Sequence, residues 1–282
     1  MSLAVFEHIN QIRSWVISQQ EQGLTVGFVP TMGALHAGHQ SLTALAAGSC
    51  DRVVASVFVN PTQFNNPDDL LKYPRTLQAD LKALEESGCH AVFCPEVNEM
   101  YIPNEQTRHW DYGALSNSLE GHFRPGHFDG VLTIVKKLFA AVTPDKAFFG
   151  EKDFQQLALI RRMTLDEGLS IEIIAAPTIR EVSGLAMSSR NVRLNDQELA
   201  TAAHISRVLL DAQKTGRNLD LPQLEKRTQQ GLSSIPDLKV EYCALVKATD
   251  LEPVLSWPPE KTVLLVAAYV GGVRLIDNVI IE

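Results

Sequence analysis

The sequence predicts an α/β protein, with a parallel sheet covered by helices on both faces and a smaller α+β domain after it. Three observations carry this. Apolar, β-branched runs of strand length alternate with helix-periodic stretches through the first two-thirds of the chain. The alternation stops near residue 180. The last third holds two helical stretches and then three strand-like runs, the final two parted by Gly271-Gly272, a pair suited to a hairpin turn.

Taken in order, "LTVGFVP" (24–30) is a short buried strand, followed by a glycine-rich turn and a helix from about His39 to Gly48. "RVVASVFV" (52–59) is the next strand, and "TLQADLKALEESG" (76–88) a helix with a glycine stop. "HAVFCP" (90–95) reads as a strand and "GVLTIVKKLFAAV" (130–142) as a helix by its spacing. "KAFFG" (146–150), "DFQQLALIRRMTLDEG" (153–168) and "SIEIIAAP" (170–177) give strand, helix and strand. Such a series builds right-handed βαβ units and a Rossmann-like sheet, whose ligands sit at the carboxyl ends of the strands near the switch point. Helices near 195–215 and 222–233 then precede strands at 239–246, 262–270 and 273–281. The boundary falls near Thr178, giving domains 1–177 and 178–282.

Composition narrows the function. The 282 residues are 45% hydrophobic and 21% charged, with a formal net charge of -8. A net-negative chain without a Lys/Arg block opposes nucleic-acid binding, which needs a basic surface, yet leaves room for a local cationic pocket. No apolar run approaches the roughly 20 residues that span a bilayer, and "MSLAVFEHINQIRSW" has neither the basic start nor the cleavage site of a leader. Cys50, Cys89, Cys94 and Cys243 are scattered, without a Cys-x-x-Cys pair. Reduced core thiols in a cytoplasmic protein are expected.

The most unusual stretch is "VPTMGALHAGHQSL" (29–42), where an apolar strand ends in small residues carrying His36 and His39. Their (i, i+3) spacing could share a metal, but no Cys or carboxylate ligand stands nearby in the segment. A capping histidine in a structural turn is a second reading. The third is phosphate binding. A strand, glycine turn and helix start expose backbone N–H groups to an anion, and imidazoles can add donors that stabilise charge at an α-phosphate. Gly38 would permit close approach of a nucleotide. Walker A is absent.

His-x-Gly-His after a first strand resembles the signature of nucleotidylyl transferases and class I aminoacyl-tRNA synthetases. "PTMGALHAGH" as a whole is similar to the pantoate–β-alanine ligase family. So, in the same order, are "FVNPTQF" (58–64), "YPRTLQADL" (73–81), "RPGHFDGV" (124–131), "FFGEKDFQQL" (148–157), "PTIRE" (177–181) and "GLAMSSRN" (184–191). Ala37 and Gln40 depart from the residues many members carry, as does "FNNPDDLLKYPRT".

The resemblance implies an enzyme that joins pantoate to β-alanine with ATP, through a pantoyl adenylate, releasing AMP and pyrophosphate. A carboxylate is a poor electrophile, so transfer to AMP creates the leaving group. Positioning and electrostatics then matter more than a protein nucleophile.

It further implies that His36 and His39 face the phosphates. His39 would stabilise the transition state or donate a proton towards pyrophosphate. Met32, Gly33, Ala34, Leu35, Ala37 and Gly38 would line the ATP site. In "GEKD", Gly150 and Glu151 belong to the same site, Lys152 takes phosphate and Asp153 the ribose, although an Asp there could simply cap a helix. Ile179, Met187, Ser188, Ser189 and Arg190 complete it, Arg190 as the phosphate cation. Gln63, Gln156 and Asn60 would hold pantoate, neutral amides orienting a carboxylate without quenching it, with Phe64 shaping the pocket. Asp80, by position alone a solvent-facing helix carboxylate, would contact Mg²⁺ directly or through water. His127 and Asp129 would support the pocket, and Arg180 and Arg193 would either strengthen its positive field or stand as ordinary surface residues.

Implied partners are pantoate, β-alanine and ATP, with neither membrane nor nucleic acid. A homodimer is expected, with the C-terminal domain closing over ATP. Two rivals are a nucleotidylyl transferase that stops at a nucleotide-linked product and a non-catalytic nucleotide- or RNA-binding relative of a synthetase.

Overall fold

The computed structural model describes residues 3–103, 105, 107–216, 220–254 and 261–281. Six strands, β1 (Ala4–Phe6), β2 (Val26–Thr31), β3 (Arg52–Val57), β4 (Ala91–Phe93), β5 (Lys146–Gly150) and β6 (Glu172–Ala176), form one sheet. Its order is β1-β4-β3-β2-β5-β6, and every pairing is parallel. Side chains alternate across it. Val26, Phe28, Val54, Phe93 and Phe149 face a core shared with helices Ile9–Gln20, His127–Val142 and Phe154–Asp166. Val29, Val53, Ala55, Val92 and Phe148 face helices Ala37–Ala47 and Leu77–Glu86. Burial on both faces is what the near-continuous apolar strands require. Phe28, Phe93 and Phe148 are each fully buried, worth about 1.5–3 kcal/mol apiece.

Topology positions the site. From β2 the chain builds outward to β3 and β4 on one side, then returns to lay β5 and β6 on the other. β2 and β5 share only Gly27↔Lys146 and Phe28↔Ala147 before they part, whereas β2 and β3 run in register from Val26↔Arg52 to Thr31↔Val57. A crevice therefore opens between the carboxyl ends of β2 and β5, at the switch point.

A second, antiparallel sheet contains β7 (Leu238–Lys247), β8 (Thr262–Val270) and β9 (Val273–Ile281) in that order. Its alternation also serves two cores. Leu245, Leu264, Val266 and Ala268 pack with helices Asp196–Thr215 and Leu221–Ser233, while Val246, Val263 and Leu265 join the core of the parallel sheet.

Two features depart from the sequence reading. The chain begins with β1 and the helix Ile9–Gln20, which the apolar pattern does not announce. β1 is a three-residue edge strand paired with β4, too short for periodicity to reveal. The helix after β2 starts at Ala37 and not at His39, because a side-chain cap replaces the turn. Among the described residues no helix is long and apolar enough to cross a membrane. All four cysteines are free, and burial pushes the Cys89 and Cys243 thiols up to about 12.

Candidate active site

His36 is the N-cap of the helix Ala37–Ala47 and His39 its third residue, and the two imidazoles cap that helix reciprocally. Gly38 N–H donates to His36 Nδ1 at 3.1 Å, and His36 N–H donates to His39 Nδ1 at 3.3 Å. A backbone N–H is always the donor, so both Nδ1 atoms are unprotonated and both rings carry their hydrogen on Nε2. Burial, then Lys152, lowers the His36 pKa to about 4; burial, then His36 and Lys152, lowers that of His39 to about 3. Both rings are therefore neutral in this structure. Capping and phosphate-facing roles therefore coexist. The shared-metal reading loses its ligand atoms, and no group of three metal-binding side chains exists among the described residues.

Gly38 is required by its neighbour: a Cβ there would lie 2.8 Å from His36 Cε1. The turn before it is held from below. Asp80 is 2% exposed and accepts from Ala34 N–H at 3.0 Å, Leu35 N–H at 2.8 Å and Thr76 Oγ1 at 3.2 Å. Its carboxylate holds the turn that leads into the two histidines. Of the residues expected to line the nucleotide site, Gly33, Ala34 and Leu35 belong to this turn and Ala37 opens the helix after it. Ala34 sits at φ 51° and Gly33 at φ 77°, the strained geometry such a turn needs.

On the other side of the crevice Asn60 is a hub, 1% exposed. Its Nδ2 donates to Gln63 Oε1 and to Gly130 O, both at 3.1 Å, and its Oδ1 accepts from Tyr101 OH at 2.8 Å. Gln63 Nε2 approaches Met32 Sδ at 3.1 Å. His127 Nδ1–H donates to Gln63 O at 2.8 Å. Burial, then Arg124, lowers the pKa of His127 to about 3. Gln63 is thus fixed through both backbone and side chain. Asp129 faces Trp110 N–H and His109 instead, at 2.9 and 3.0 Å, and Phe64 stacks edge-on against Tyr73 with ring centroids 5.7 Å apart.

The cationic groups come from two loops. Lys152 and Asp153 follow β5, and Ser188, Ser189 and Arg190 approach from the far side. Ser189 Oγ donates to Ala34 O at 3.0 Å, tying the second loop to the turn after β2. Arg190 and Arg193 both grip Asp69, at 2.9 and 3.0 Å. Against its burial, these two guanidiniums hold the Asp69 carboxyl below the usual range. Arg180, expected to add to the field, is neutralised by a bidentate pair with Asp277 at 2.6 and 2.9 Å.

Between these walls lies one pocket of about 230 Å³. Met32, His36, Gly38, His39, Asn60, Gln63, Gly150, Lys152, Asp153, Gln156, Ile179, Met187, Ser188, Ser189 and Arg190 all reach it. Glu151 does not; its carbonyl accepts from Asn278. A chamber of about 430 Å³ adjoins at Lys152, Asp153, Ser188 and Arg190 and adds Arg124 and Arg274. A larger hollow of about 700 Å³, walled by Tyr112, Arg161, Arg162 and Asp250, shares none of these residues.

Sequence reasoning missed Tyr73, which also lines the pocket, and Asp69. The only sequence signal for Asp69 was an acidic pair in a variable loop. Chemically the pocket offers neutral and cationic donors along one wall, amides on the other, and no exposed thiol nucleophile. That suits charge stabilisation during displacement at a phosphate more than covalent catalysis.

Residues 4–280 match the family model of pantoate-beta-alanine ligase. The chain is 47% identical over 279 residues to the pantothenate synthetase of Porphyromonas gingivalis, covering 98% of this chain and 99% of that one. It is 45% identical over 278 residues to that of Bacteroides thetaiotaomicron, covering 98% of each. The crystal structure of pantothenate synthetase from Thermus thermophilus superposes with a TM-score of 0.92 at 39% identity, covering 98% of both chains. The pantoate-beta-alanine ligase of Francisella tularensis, complexed with beta-gamma ATP and beta-alanine, superposes at 0.82 with 35% identity, covering 98% of this chain and 97% of that one.

Proposed function

The chain belongs to the pantoate–β-alanine ligase family, and from that premise we propose that the pocket at the β2–β5 switch point is where its reaction takes place. The enzyme is a ligase that condenses pantoate with β-alanine at the expense of ATP. In our reading a pantoyl adenylate forms first and β-alanine then displaces AMP.

The observation that carries the assignment of roles is the pair of neutral imidazoles with both Nδ1 atoms tied to backbone. Their Nε2–H groups remain for the triphosphate, preorganised and without a charge to lose. They stabilise the oxyanions that build up as the pantoate carboxylate attacks the α-phosphate. Lys152 and Arg190 balance charge on the departing pyrophosphate, and Asp153 takes the ribose. Gln63 and Gln156 orient pantoate, Gln63 being pinned by Asn60 and His127. The apolar wall of Phe58, Val131 and Val135 fits a branched aliphatic acid and helps exclude water from the adenylate.

Magnesium enters this reading with ATP. With Asp80 committed to the turn and no three-ligand cluster among the described residues, the donor set fits an ion held chiefly by phosphates and water. When bound, Mg²⁺ would neutralise developing charge on pyrophosphate. We further propose a homodimeric cytoplasmic enzyme in which residues 1–177 bind nucleotide and pantoate, and residues 178–282 carry the 187–190 loop over ATP. Scattering profiles that superimpose with and without ATP would count against that closure.

The decisive assay follows pyrophosphate release from purified protein with ATP and Mg²⁺. Pantoate alone should yield one enzyme equivalent of pyrophosphate, and β-alanine should then release AMP and the amide product. Turnover with another acid but not with pantoate would overturn the substrate assignment.

A further inference from the structure

The last strand of the protein reaches the phosphate side of the pocket through two residues that no step above uses. Asp277 and Asn278 interrupt the apolar run of β9 and are only 4% and 7% exposed. Asn278 Nδ2 donates to Glu151 O at 3.0 Å and to Lys152 O at 2.9 Å. Both of its amide hydrogens are thus spent on consecutive carbonyls of the turn that carries Lys152. In a trans peptide the N–H points opposite to the C=O, so holding both carbonyls on the β9 side fixes both peptide planes.

Asp277 completes the attachment. Its carboxylate accepts from Arg180 Nη1 and Nη2 at 2.6 and 2.9 Å and from Asn278 N–H at 2.8 Å. Arg180 also donates to Gly184 O at 3.2 Å, and Met187 N–H to Ile179 O at 3.0 Å. The stem of the loop bearing Ser188, Ser189 and Arg190 is therefore tied to Asp277, next to Asn278 on β9. Two phosphate-facing loops, 126 residues or more from β9 for one and 97 for the other, hang from one bracket.

We propose that Asn278 is a positioning residue for ATP, setting the backbone of the Gly150–Asp153 turn so that Lys152 meets the phosphates, with Asp277 holding the second loop in register with it. The proposal rests on the reading of Lys152 as a phosphate group. Asn278 touches no substrate, so its effect must appear through Lys152.

The test is a double-mutant cycle on the full-length enzyme. Asn278→Ala should raise KM for ATP about tenfold, the equivalent of ~1.4 kcal/mol and of two neutral hydrogen bonds, while KM for pantoate stays within about twofold. In a Lys152→Ala background, Asn278→Ala should add little, because the group it positions is gone. Full additivity would overturn the proposal. Ile280→Ala, which weakens the same strand without touching the turn, should leave KM for ATP unchanged; an equal rise there would mean that Asn278 acts only through strand stability. If Asn278→Ala does not fold, Asn278→Ser serves in the same cycle. A Lys152→Ala variant with normal ATP use would sink the phosphate reading itself, whereas a Lys152 effect with no Asn278 effect removes only the bracket.

Discussion

With Nδ1 of both His36 and His39 accepting backbone N–H groups, protonating either ring removes a helix cap as well as placing charge beside Lys152. The native pKa values near 4 and 3 lie below the unfolded value of 6.5. Above pH 6.5 neither state binds the proton and these rings leave stability unchanged. As pH falls from 6.5 towards 4 the unfolded chain takes up protons that the native state refuses, so stability declines by up to about 1.4 kcal/mol per pH unit for each ring. Thermal unfolding should show a falling Tm between pH 6.5 and 4.5, and His39→Gln should flatten that slope while lowering turnover. A Tm equally pH-dependent in the variant would contradict the neutral-ring assignment. Two histidines around a glycine were visible in the sequence, but their tautomers were not. A phosphate-facing role and a capping role both fitted the pattern, and only the Nδ1 partners show the cap.

At the scale of elements, the two walls of the pocket are set by close approaches that only glycine allows. Gly130, in the first turn of the helix His127–Val142, lies against the backbone of the short 3₁₀ turn Pro61–Gln63. A Cβ there would come within 2.7 Å of Gln63 N and closer still to the Thr62 carbonyl. Gly130→Ala should therefore push the helix and the turn apart, loosening Asn60 and Gln63 together. The expected result is a loss of about 1–3 kcal/mol in stability and a larger rise in KM for pantoate than for ATP, read from steady-state kinetics with each substrate varied. Equal effects on both would mean that the contact serves the fold alone. The glycine of "FDGV" gave no clue to this in the sequence, because its partner lies in a distant segment of the chain. The strand and helix series itself was legible, since apolar periodicity is local, as was the hairpin at Gly271-Gly272.

For the whole molecule, the antiparallel sheet is joined to the short helix Glu120–Phe123 of the first domain by a largely buried ion network, as well as to the parallel sheet by a shared apolar core. Arg274 on β9 donates to both oxygens of Glu120 at 2.8 and 2.7 Å and to Glu241 at 2.9 Å through Nε, while Tyr242 OH donates to Glu120 at 2.7 Å. Burial alone would raise the Glu120 carboxyl, but the Arg274 fork and Arg124 outweigh it and hold its pKa at about 2. Breaking such a pair from one side leaves an uncompensated charge. Arg274→Met should cost about 3–5 kcal/mol in urea denaturation. Adding Glu120→Gln should recover part of that loss, and a double variant as unstable as the sum of the two singles would argue against a direct pair.

The sequence by itself determined the architecture, the family resemblance and most of the side chains that meet in the pocket, because strand alternation, turn chemistry and ordered motifs are properties of short segments. Tertiary structure alone decided what those side chains are free to do. The carboxylate of Asp80 is found holding Ala34 and Leu35, and Arg180, which reads as a free cation, is found paired with Asp277. The carbonyl of Glu151 is found on Asn278. In each case the deciding partner lies tens of residues or more away in the chain. A polar group's chemistry depends on which of its donors and acceptors are already satisfied, and only the fold sets those pairings.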